Sequence, residues 1–269
     1  MIFRRIRHAA FTLAETLIVI GIIGVIATLT LPNLNQSTND AEYVAKVKKL
    51  YSTLDSAYGR AVVTYGSPNT WIKSTDTTKT AQVTRYGDRI SEFLKVNKNC
   101  GTGTGCFTSG AITKSLAGNA TGTNYESNTS YYKIVLDDGS AVAFYLGDGG
   151  NGKCNSFNGD YVADSSHPAY YVCGEIGVDI DGPNEGPYAQ GRDYFSFIMT
   201  KDGSVYPRGW NGSKAGTAAK LKEKCFTSGT SCAGWVVENG NMDYLQQTSW
   251  GTGSCPNGTV LDWSNTSCK

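Results

Sequence analysis

The sequence predicts an α+β fold, in which a long amino-terminal helix packs on an antiparallel β-sheet and a disulfide-rich carboxy-terminal region follows. Three observations carry that prediction. Tyr43, Val47, Leu50, Leu54, Ala57 and Ala61 recur in steps of 4, 3, 4, 3 and 4, the spacing of one helix face. Beyond residue 130, short β-branched and aromatic runs are separated by Asp-Gly turns, the pattern of hairpins. Eight cysteines all lie past the first third of the chain, and none forms a CxxC pair.

The first element is apolar. Arg4, Arg5 and Arg7 precede a run from Phe11 to Leu31 in which Glu15 is the only ionisable group. At ~1.5 Å of rise per residue such a run covers a hydrocarbon core of ~30 Å, and the arginines favour a cytoplasmic amino end. The sequence therefore predicts a transmembrane first half at 11–31, with the remainder outside the cytoplasm. A cleaved secretory signal would have a shorter apolar region and a small-x-small site after it, which Thr28 to Pro32 does not supply. Glu15 stands out, because a carboxylate in a spanning helix costs on the order of 2–3 kcal/mol unless it is paired, protonated or able to snorkel. A cut between Ala10 and Phe11 would create an α-amine that the Glu15 of an adjacent copy could neutralise.

The stretch FTLAETLIVIGIIGVIATLTLP, Phe11 to Pro32, resembles the cleavage and methylation segment of type IV pilins and type II secretion pseudopilins. In that family a short basic leader is removed before a Phe, the new terminus is methylated, and Glu is the fifth mature residue. Phe11, Thr12, Leu13, Glu15, Gly24 and Pro32 fall in the corresponding places. Ala10 departs from the family's usual Gly, and Ala14 from a larger aliphatic residue. The resemblance implies processing at Ala10 and Phe11 and assembly through Phe11, Glu15, Gly24 and Pro32. It also implies as partners a prepilin peptidase, an inner-membrane assembly platform, further copies of the chain and other pilins or pseudopilins. The expected location is an inner-membrane single-pass precursor, then a periplasmic or cell-surface filament. The alternatives are a secretion pseudopilin and a monomeric membrane-anchored surface-binding protein or adhesin.

Domain organisation reads as a leader at 1–10, the assembly helix at 11–31 and its amphipathic continuation at 32–66. A variable region at 67–130, a sheet at 131–213 and the cysteine-rich region at 214–269 complete it. Pro32 predicts a kink by removing a backbone donor, and Gly66 with Pro68 predicts the stop. The region 67–130 is rich in Thr, Ser, Gly and Asn and reads as a decorated connection, with one short helix at Asp88 to Val96. Tyr131 to Leu136 and Ala141 to Leu146 flank Asp137-Asp138-Gly139-Ser140 as a hairpin. Tyr170 to Cys173, Ile176 to Ile180, Tyr194 to Thr200 and Ser204 to Tyr206 read as further strands, and Ala218 to Lys224 as a short helix.

Loosely spaced cysteines in even number favour disulfides in an oxidising compartment. Nearest-neighbour pairing predicts Cys100 with Cys106, Cys154 with Cys173, Cys225 with Cys232 and Cys255 with Cys268, out of 105 connectivities open to eight cysteines. The segment Val178 to Pro207 resembles a pilin-like loop and strand in which acidic residues precede Gly-Arg-Asp. Asp179, Asp181 and Asn184 around Gly182 are a calcium candidate, with Glu185 or Asp193 as extra ligands. The competing reading, weighed above it, is an Asx-rich turn whose carboxylates cap backbone amides. Asp148 and Asn151 form a weaker second candidate. In the carboxy-terminal region Trp235, Trp250 and Trp263 read as buried rather than as sugar-stacking surface.

Composition excludes several functions. Lys and Arg total 24 against 23 Asp and Glu in 269 residues, so no basic excess marks a nucleic-acid partner. His8 and His167 are the only histidines, and no Gly-x-Ser-x-Gly, P-loop or HExxH motif is present, so a structural subunit is expected rather than an enzyme.

Overall fold

The computed structural model describes residues 13–121, 123–147, 154, 166–183, 186–213 and 216–269; of the side chains, 26–39 and 218 are not described. The chain divides into two compact units, 1–42 and 43–269. Helix α1, Leu13–Tyr65, begins in the first and ends in the second, and it runs unbroken past Pro32.

One expectation is overturned here. No helix among the described residues is long and apolar enough to cross a membrane. The transmembrane first half and the inner-membrane single-pass anchor are therefore not supported.

From Tyr43 onward α1 is the amphipathic helix that the apolar spacing predicts. Val47, Leu50, Leu54, Ala57 and Ala61 are all buried, joined by Val44 and Tyr58. They pack on a six-stranded antiparallel meander in the order β1 to β6: Val96–Gly101, Tyr131–Leu136, Ala141–Leu146, Val172–Asp179, Tyr194–Thr200 and Val205–Pro207. The β2–β3 hairpin and β5 have the boundaries expected from sequence. Ile134, Val142, Phe144, Ile176, Val178, Phe195 and Phe197 share the core with α1.

Four elements differ from the sequence reading. The helix placed at 88–96 is α2, Lys79–Ser91, started by Thr78, whose hydroxyl accepts the Ala81 amide. Its last turns run into β1, a strand hidden in sequence because VNKNCG does not alternate and because the strand is bulged at two places against β2. The two strands expected around 170–180 are the single strand β4. Gly174, inside that strand, allows close approach: a Cβ there would sit 2.3 Å from the Tyr145 carbonyl. The run at 218 is helical only at Ala218–Lys220 (α3) and widens into a π-helical segment, Leu221–Thr227, before α4, Cys232–Asn239.

The far face of the sheet is covered too. Tyr194 packs with Phe107, Val135, Ala141 and Ala143, whereas Ile198 packs with Ala169, Val172 and Trp210. All four nearest-neighbour disulfides are present: Cys100–Cys106, Cys154–Cys173, Cys225–Cys232 and Cys255–Cys268. They fit an oxidising environment outside the cytoplasm. Trp235 is buried and Trp263 stacks on it at 5.4 Å, but Trp250 is exposed, contrary to expectation.

The packing of α1 on the sheet is directly testable. Leu54→Ala should lower the unfolding free energy by about 2–5 kcal/mol, because it opens a cavity at a fully buried site. Val63→Ala, at an exposed site on the same helix, should stay within about 0.5 kcal/mol of the parent. Chemical denaturation of the two variants beside the parent chain measures both.

Candidate functional site

Two regions carry the residues singled out from sequence. The first is the start of α1. Ala10 and Phe11 lie outside the described residues. Glu15 is exposed in the first turn, and Gly24 lies on open helix surface, with nothing within 4 Å of a Cβ built on it. Pro32 is inside the helix, its side chain not described. Around Glu15 and Gly24 the helix exposes Leu13, Leu17, Ile18, Val19, Ile20, Ile22, Ile23 and Val25, each more than half accessible. These residues circle the helix rather than marking one stripe, so every side of the segment presents apolar surface.

The second region is the acidic corner after β4. Asp179 ends the strand and turns its carboxylate back on the chain: Oδ1 accepts the amides of Asp181 at 3.3 Å and Gly182 at 3.2 Å. Gly182 has φ of +81°, and a Cβ there would lie 2.2 Å from the Gly139 carbonyl, so this turn is packed against the β2–β3 turn and accepts only glycine. Asp181 faces α1. Its Oδ2 accepts the Tyr43 hydroxyl at 2.5 Å, and Oδ1 lies 3.5 Å from Lys46 Nζ. Beside it Lys49 pairs with Asp138 at 2.9 Å, so the two turns at this end of the sheet are both tied to the helix.

Asp193 mirrors Asp179 at the far end of the connection. Fully buried, it accepts the amides of Tyr188 and Ala189, each at 2.6 Å, and holds Tyr188 at φ of +57°. The two carboxyls feel one another. Burial, and then the charge of Asp193, pushes Asp179 up to about 8. Burial also raises Asp193, opposed by the amides that it accepts.

This is the Asx-turn arrangement. Of the calcium candidates, Asp179 is committed to backbone amides and Asp181 to α1, and Asn184, Glu185, Asp148 and Asn151 lie outside the described residues. Among the described residues no three His, Cys, Asp or Glu side chains stand where they could hold a metal ion. The described donors therefore do not fit a cation, and no step is routed through one.

Sequence reasoning missed two buried groups on the far face of the sheet. Lys133 is fully buried, its Nζ donating to the carbonyls of Tyr125, Glu126 and Asn128, with burial lowering its pKa. Glu126 accepts the amides of Gly105 and Phe107 at 2.5 and 2.9 Å. Together they fold the decorated region onto the sheet. No sequence pattern announces them: Lys133 interrupts the apolar run of β2 as an exposed Lys would, and Glu126 lies in a Thr/Ser/Gly-rich segment.

No family model matches the chain, and no curated protein or solved structure is significantly similar to it.

The acidic corner makes stability depend on pH. The folded-state value of Asp179, about 8, lies above the ~3.9 of an unfolded aspartate. The folded chain thus keeps a proton that the unfolded chain releases, and this contribution, complete below ~3.9, is lost as pH rises through about 8. Unfolding free energy should therefore be lower at roughly pH 9 than at roughly pH 5. Asp179→Asn keeps an oxygen for the two amides and should flatten that dependence. Urea denaturation of both proteins at the two pH values checks it.

Proposed function

We propose that the chain is a pilin-like structural subunit of a type IV pilus-type filament, processed by a prepilin peptidase and assembled through its amino-terminal helix. The observation that carries this reading is the apolar surface of Leu13 to Val25. Leu13 is 81% exposed, Ile20 67% and Leu17 62%, in a helix whose later half is held on the sheet through its own apolar stripe. A contiguous exposed apolar surface of this extent marks an interaction site. Its one acid, Glu15, sits where the new amino terminus of another copy could neutralise it.

The rest of the chain supports the same reading. Side-chain bonds from Tyr43, Lys46 and Lys49 hold the later part of α1 to the sheet. Four disulfides suit a subunit working outside the cytoplasm. Partners are further copies of the chain, other pilins or pseudopilins, the peptidase and an assembly platform. A secretion pseudopilin is the nearest alternative; the long covered region and cysteine-rich tail favour the pilus-type subunit over a compact piston. One observation favours a second reading, a monomeric binding protein. The exposed Trp250 sits on a turn locked by Gln247, whose Oε1 accepts the amides of Gly251 and Gly253.

Two measurements decide. Mass spectrometry of the protein from its native host should find N-methyl-Phe11 as the first residue, and an intact Met1 would overturn the processing step. In Glu15→Ala, filament yield should fall by about tenfold, the equivalent of ~1.4 kcal/mol lost per added subunit, with the cysteine-bearing unit still folded by circular dichroism. Unchanged yield from that variant removes Glu15 from assembly, and a chain that stays monomeric at every concentration favours the binding-protein reading.

A further inference from the structure

On the sheet face away from α1, a small cavity of about 10 Å³ lies between the decorated region and the β4–β5 corner, walled by Phe107, Tyr125, Tyr188 and Tyr194 and reaching Glu126 and Asp179. Its walls are tightly packed: the Tyr125 and Tyr194 rings stack at 4.8 Å, and Phe107 lies 5.6 Å from Tyr125. Tyr194 is buried to 1% exposure, and its hydroxyl finds no hydrogen-bond partner among the described residues. A buried donor left unsatisfied costs about 1–3 kcal/mol, so the fold tolerates this one only where something else satisfies it.

The neighbouring polar groups narrow what that partner is. Glu126 has both oxygens on backbone amides, and Thr108 donates to the Tyr188 hydroxyl at 2.9 Å. Asp179 accepts both of its backbone bonds through Oδ1. A volume of about 10 Å³ is one water-sized sphere, the lower limit for holding a single water and too small for any organic ligand. A multivalent cation of this size would need several oxygens converging on one point, and the described residues bring no such group together.

We infer that this cavity is a built site for one ordered water molecule, which accepts the Tyr194 hydroxyl and donates to the carboxyl group of Asp179. The water joins the end of β4 to the start of β5 beneath the wall formed by Phe107 and Tyr125. It also gives a physical reason for tyrosine over phenylalanine at 194, since the ring alone fills the apolar wall equally well. The inference stands apart from the filament reading, because it concerns only the folded unit and survives whether or not the chain assembles.

The test is a high-resolution crystal structure of the full chain, prepared with a chelator, beside that of Tyr194→Phe, which keeps the ring and hence the packing. The expected result is a solvent peak about 2.7–3.2 Å from Tyr194 Oη, retained under chelation and missing from the variant. Water-selective NMR provides a second readout, an exchange-protected Tyr194 hydroxyl with a cross-peak to a long-lived water. A dry cavity overturns the inference. So does a peak at roughly 2.3–2.6 Å from several oxygens that is removed by the chelator, since that is a cation. Persistence of the same peak in Tyr194→Phe overturns the role given to the hydroxyl.

Discussion

The sheet has no free face at its centre, and the rest of the folded unit follows from that constraint. Every residue of β5, Tyr194–Thr200, is buried, which a sheet covered on one side only cannot achieve. Phe195, Phe197 and Met199 meet the α1 side; Tyr194 and Ile198 meet two separate apolar clusters on the other. The long region before β2 is therefore part of the core rather than ornament on it. Its own backbone must then be satisfied away from water, and the buried Lys133 and Glu126 do this by taking carbonyls and amides that no strand partner reaches.

The same logic governs the acidic corner. Two carboxyls are buried at the two ends of one connection, each capping the amides of a turn beside it. Such capping is worth having because an orphaned amide in a buried turn is expensive. The cost is desolvation, visible in the upward displacement of both acids, to which the charge of Asp193 adds at Asp179. Asp181, between them, is spent on Tyr43 and Lys46 of α1. The corner thus fixes the helix to the sheet with polar bonds at one end, and the aromatic hub around Trp71 fixes it at the other, with Tyr58, Tyr65 and Tyr86 within 4.8 to 6.5 Å of the indole.

How much of this could be read beforehand depended on whether the signal was local. The α1 stripe, the β2–β3 hairpin and β5 were legible because period and turn chemistry lie within a few residues of one another. The disulfides were legible for a related reason: each closes a short loop between cysteines adjacent in sequence. β1 was not, because a bulged edge strand lacks alternation, and the continuity of β4 was not, because the need for glycine at 174 is set by the Tyr145 carbonyl across the ladder. In the acidic corner the Asx turns were readable from Asp-x-Asp-Gly, but the burial that couples Asp179 to Asp193 is a tertiary fact. The span expected at 11–31 rested on the apolar run alone, and no helix among the described residues is long and apolar enough to cross a membrane.

Exposed apolar helix and rigid folded unit impose opposite demands on one chain. A segment whose every side is apolar is costly in water, and the exposure of Leu13 to Val25 persists only if something covers it or if the remainder of the chain is stable enough to carry it. The folded unit supplies that stability redundantly, through a sheet buried on both faces, four cross-links and polar ties on α1 at Tyr43, Lys46 and Lys49. Those ties all lie in the part of α1 that belongs to the second unit, from Tyr43 onward. On the filament reading proposed above, a second copy would bring an equal apolar surface and place the one charge, Glu15, inside the contact, where a cation opposite it gains most from the lowered dielectric.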